Sequence, residues 1–185
     1  MNLNRLALKS FLDCGGDAGT YREDDAGLRF TEQGGELEMV QLWVNLPARA
    51  KMSKPGYQAL LDKDFPRLSI GPARARLIAG ALEDARGPAH THTPITLFDL
   101  TFERAGRAEF ALPAGHTSLV FALEGQLAVG DDEASVAPGQ LAVLAREGGA
   151  IHVLGAEGAR ALVLSGEPIA EPVASYGPFV MNTRE

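Results

Sequence analysis

The sequence predicts an all-β protein, closed as an antiparallel barrel or jelly-roll sandwich, with very little helix. Three observations carry this expectation. From Pro66 to Pro168, apolar and polar residues alternate in short runs, each about the length of one strand. Gly and Pro separate the runs, and the chain of 185 residues contains 21 Gly and 11 Pro. Closure into a barrel or sandwich also removes the open sheet edges that so many short strands would otherwise leave.

In chain order, residues 1–27 have little pattern beyond a short helix expected at Leu3 to Leu12, and CGGDAGTYREDDAG is too polar and too rich in Gly to bury much surface. Disorder is expected there. Patterning begins at Leu28. In residues 37–47, LEMVQLWVNLP, both alternating faces are apolar, as in a strand between two covering layers. Residues 51–64 form a linker in which Tyr57 to Leu61 reads as a helical turn after Pro55-Gly56. A second unit starts at Arg67 with RLSI and RARLIAGAL, followed by the turn RGPAHTHTP. In ITLFDLTFE, Phe98, Leu100 and Phe102 alternate with Asp99, Thr101 and Glu103, giving one wet face. At the centre lie residues 112–130, LPAGHTSLVFALEGQLAVG. Residues 118–123 are apolar at nearly every position, as in a strand covered on both sides, and Glu124-Gly125 reads as a hairpin turn into residues 126–129. GQLAVLARE, GAIHVLG and ARALVLSGEP complete the strand series.

Bulk composition excludes several functions. The formal charge is −7, and no dense Lys/Arg cluster is present, which argues against direct binding of nucleic acid. The single cysteine, Cys14, cannot build a disulfide framework, has no neighbouring histidine or cation, and reads as incidental. No signal peptide or membrane-length apolar run is visible, so a cytoplasmic protein without a membrane partner is expected.

Four stretches resemble the pirin family of bicupin proteins, built of two consecutive jelly-roll barrels. They are QLWVNLPARAKM at residues 41–52, GPAHTHTPI at 87–95, LPAGHTSLVFALEG at 112–125 and SGEPIAEPVASYGPFVMNTRE at 165–185. The resemblance implies a cupin-type jelly roll and divides the chain into four parts. Residues 1–27 stand apart, 28–66 are a remnant of the N-terminal barrel (its last strand) with a linker, 67–171 are the C-terminal cupin barrel, and 172–185 are a tail. In the family, iron or another divalent metal sits in the N-terminal barrel, on a His-x-His pair, a further His and a Glu. No histidine precedes Leu28 here, so no residue inherits those roles and no cofactor is expected.

A cupin metal site needs two histidines two apart, a carboxylate and a third histidine converging on one ion. In the surviving barrel the corresponding positions hold residues such as Ala114 and Ser118, leaving His116; His152 stands equally alone in Ile151-His152-Val153. His90 and His92 have ligand spacing but lie in a turn between Pro88 and Pro94. These four histidines are the candidate ligands, with surface or hydrogen-bonded roles expected of each. The acids Glu32, Glu36 and Glu38 read as a solvated face, and Glu124 and Glu167 as turn residues. The expected function is therefore a pirin-like cupin without the family metal site, acting in binding or regulation. The resemblance implies a transcription factor or a metabolic enzyme as its partner. The alternatives are a metal-dependent quercetin 2,3-dioxygenase and the inactive product of a truncated gene, which the patternless start and the stop at Glu185 would suit. With the N-terminal barrel largely absent, an apolar patch of Trp43, Val44, Phe179 and Val180 is expected to pair two chains through the orphan strand.

Overall fold

The computed structural model describes residues 40–184 apart from positions 55, 57, 59, 177 and 178. The expectations for residues 1–27, for Cys14 and for Glu32, Glu36 and Glu38 lie outside the described residues. The strands are β1 (Arg67–Ile70), β2 (Ala73–Ala79), β3 (Ala81–Leu82), β4 (Ala85–Arg86), β5 (Ile95–Phe102), β6 (Gly106–Leu112) and β7 (Thr117–Glu124). They continue with β8 (Leu127–Val129), β9 (Ala134–Val136), β10 (Leu141–Val143), β11 (Gly149–Gly155), β12 (Arg160–Gly166), β13 (Ala174–Tyr176) and β14 (Phe179–Met181). Helix among the described residues is limited to two 3-10 turns, Ala48–Ala50 and Asp62–Asp64.

Two compact units divide the chain. Asp62–Glu171 holds β1 to β12, and the described part of the other unit comprises residues 40–61 and 172–184, including the β13–β14 hairpin. In the larger unit, a six-stranded sheet ordered β1-β2-β5-β12-β7-β10 packs on a four-stranded sheet ordered β6-β11-β8-β9. The alternation in the sequence decides which residues face the space between them. Phe98, Leu100 and Phe102 of β5, Val120 and Ala122 of β7 and Val163 of β12 point inward from the larger sheet. Ala108, Phe110 and Leu112 of β6, Leu127, Val129 and Val153 meet them from the smaller. Phe98 and Phe110 join the two sheets edge to face, with ring centroids 5.1 Å apart.

The structure corrects three sequence expectations. β7 and β8 do not form a hairpin but lie in different sheets, and Gly125-Gln126 carries the chain from one layer to the other. The reason is that β10 and β12 already occupy both edges of β7. Gly125 is still required, because its φ is +70° and a Cβ there would lie 3.0 Å from the Ala159 Cβ. Second, the part of the expected strand 37–46 that is described, residues 40–46, belongs to no strand, and none of the described strands pairs with it. Val40, Leu42, Trp43, Val44 and Leu46 are half-buried there. Third, the helical turn expected at Tyr57 to Leu61 is not seen at the described positions 58, 60 and 61; the turn forms just beyond, at Asp62–Asp64.

Gly80, between β2 and β3, has φ +77°, and a Cβ there would lie 2.1 Å from the Ile95 carbonyl oxygen. Gly130 has φ +81° but open space around it. Gly80→Ala should lower unfolding free energy by on the order of 2–4 kcal/mol, from strain plus a backbone clash, whereas Gly130→Ala should cost about 1 kcal/mol, from strain alone. Denaturant unfolding of both variants checks this; equal losses would show that close approach at Gly80 contributes nothing.

Candidate functional site

At one end of the larger sheet, the inward positions change from apolar to hydroxyl-bearing. Thr96 of β5, Ser118 of β7 and Ser165 of β12 are cross-strand neighbours in register, Thr96 beside Ser165 and Ser165 beside Ser118. Ser165 is 1% exposed and Ser118 4%. The Ser118 hydroxyl donates to Ser165 Oγ at 2.9 Å, and Ser165 Oγ lies 3.2 Å from His116 Nδ1, with the direction of that last bond set by the imidazole tautomer. Thr96 Oγ1 donates to the Ala81 carbonyl at 3.3 Å. The turn before β7 is held from outside, since Gly115 N–H donates to the Arg146 carbonyl at 2.7 Å and Arg146 donates to Thr117 Oγ1 at 3.0 Å.

This arrangement limits the available chemistry. A serine 3.2 Å from an imidazole has the spacing of a nucleophile and its base, but Ser165 is closed off from any substrate. A divalent metal does not fit either. One imidazole and neutral hydroxyls already bonded to each other do not supply the nitrogen and carboxylate donors such an ion requires. No group of three or more His, Cys, Asp or Glu among the described residues is placed to hold a metal ion.

The other candidate histidines lie on other segments, β11 and the turn before β5. His152, on β11, faces away from the core, between Glu109 Oε2 at 3.4 Å from Nδ1 and Asp131 Oδ1 at 3.5 Å from Nε2. The Nδ1 atom is buried without a hydrogen bond, because the Glu109 contact lacks hydrogen-bond geometry. The two carboxylates approach opposite ring nitrogens instead of converging on one point. His90 and His92 are exposed in the turn before β5, where Thr91 Oγ1 donates to the Thr93 carbonyl at 2.7 Å. Of the expected apolar patch, Trp43, Val44 and Val180 are half-buried and Phe179 is exposed. The Val180 carbonyl accepts from Lys51 Nζ at 3.0 Å.

Sequence inspection missed a charged cluster on the outer face of the six-stranded sheet. Arg76 of β2 donates through Nε to Asp99 of β5 at 2.6 Å and through a terminal nitrogen to Asp62 at 2.8 Å, and its guanidinium lies 5.5 Å from the Phe65 ring centroid. Arg67 also donates to Asp62, and Arg74 pairs with Glu103 at 2.7 Å. With Thr101, the six charged residues Asp62, Arg67, Arg74, Arg76, Asp99 and Glu103 line a pocket of about 240 Å³ whose three guanidinium groups each already face a carboxylate. The hydrogen bond from Arg76 holds the Asp62 carboxyl below its ordinary value, whereas burial pushes Asp99 up despite the same arginine. The wet positions of β5 were legible in the sequence; the register that sets Arg76 opposite Asp99 was not.

Because its folded value is depressed, Asp62 contributes stability above its unfolded value of 3.8, and that contribution is lost as pH falls through the lower folded value. Asp62 is largely exposed, so the contribution at neutral pH should stay below about 1 kcal/mol. Unfolding measured from neutral to strongly acidic pH should show Asp62→Asn less stable than the parent at neutral pH, with the two curves meeting in acid. A gap independent of pH would exclude an ionic role.

Residues 97–185 match the family described as the pirin C-terminal cupin domain. A Pseudomonas aeruginosa protein provisionally named a quercetin 2,3-dioxygenase is 45% identical over 171 residues, which are 91% of this chain and 59% of that protein. An Arabidopsis thaliana protein provisionally named pirin-like is 30% identical over 186 residues, 94% of this chain and 69% of the relative. Among solved structures, quercetin 2,3-dioxygenase from Acinetobacter baumannii superposes with a TM-score of 0.79 at 41% identity, over 84% of this chain and 55% of that one. The chain thus spans little more than half the length of the Pseudomonas and Acinetobacter proteins. The match to the C-terminal cupin domain and the relatives aligned over more than nine tenths of the chain establish a jelly-roll protein that belongs to the pirin family.

Proposed function

We propose that this pirin-family barrel is a metal-free cupin that acts in binding or regulation and does not itself oxidise flavonols. The observation supporting this is the hydroxyl chain Ser118–Ser165–His116, in which the inward groups at the barrel end satisfy each other with no carboxylate among them. A protein partner follows from the family resemblance, which points to transcription factors or metabolic enzymes. The second reading, a metal-dependent quercetin 2,3-dioxygenase, is favoured by the names of the Pseudomonas and Acinetobacter proteins. Both of those proteins extend well beyond the part matched here, so their activity belongs to this chain only as that second reading.

One experiment separates the two. The purified protein is incubated with Fe(II), Ni(II) or Zn(II), dialysed, analysed for metal and assayed for quercetin turnover. The expected outcome is no near-equimolar metal and no turnover. Near-equimolar metal with turnover, both lost in His116→Ala or in the double variant of His90 and His92, would overturn the metal-free reading.

A further inference from the structure

We draw no further inference here: the strongest candidate, the charged pocket of Arg67, Arg74 and Arg76 on the outer face of the six-stranded sheet, carries nothing, because each of its guanidinium groups is already engaged by Asp62, Asp99 or Glu103 within the cluster already described.

Discussion

The larger unit depends on the contact between two sheets that each carry one apolar face. Phe98 and Phe110 meet edge to face across that space, and every inward residue of β5, β7, β12, β6 and β11 is positioned by alternation relative to them. A slip of one residue in any of these strands would turn its core side chains to the outside. Close packing then explains two tight glycine positions. Gly155 lies against the Phe102 ring, where a Cβ would come within 2.6 Å, and Gly80 lies against the Ile95 carbonyl.

The same alternation gives the barrel end its character. Along β5, β7 and β12 the inward positions run through Phe98, Val120 and Val163 to Thr96, Ser118 and Ser165. A carboxylate at the Ser118 position would need a cation or a metal ion to offset its desolvation, whereas a hydroxyl needs only a neighbouring hydroxyl. The network provides that neighbour: Ser118 donates to Ser165, and His116 lies at the open end of the chain. Closure of this end and the misfit for a metal therefore have one cause, which is the choice of neutral polar groups on the inner face.

How much could be read in advance depended on the range of the interaction. Strand existence, the inner face of β5 and most turn positions follow from patterns within ten residues, and Phe98, Leu100 and Phe102 were legible as core from their alternation alone. Pairing between distant strands was not. Glu124-Gly125 carries a hairpin's local signal, yet β7 finds its partners in β10 and β12, and the glycine serves a crossing between sheets. Residues 40–46 have the composition of a covered strand but no ladder among the described residues. At the barrel end, Ser118 was visible as a substitution in a cupin frame and His116 as the histidine left in it, while Ser165, 47 residues from Ser118, became part of the site only through register.

The outer face of the six-stranded sheet shows a second consequence of register. On β2 and β5 its outward residues include Arg74, Arg76, Asp99, Thr101 and the buried Leu97; on β7, β12 and β10 they include Leu119, Phe121, Leu162, Leu164, Leu141, Val143 and, beside Thr101, Arg160. A sheet bathed in water on that side would be polar along its whole width. Here the polarity changes along the strands, from Thr101 and Asp99 to Leu97 on β5 and from Arg160 to Leu162 and Leu164 on β12, and the charged part is internally neutralised, with Arg76 shared by Asp62 and Asp99. That sharing makes the cluster a clasp joining β2 and β5 to the turn before β1. Its guanidinium groups are already engaged, so an incoming anion would have to displace a carboxylate from Arg67, Arg74 or Arg76 before it could bind.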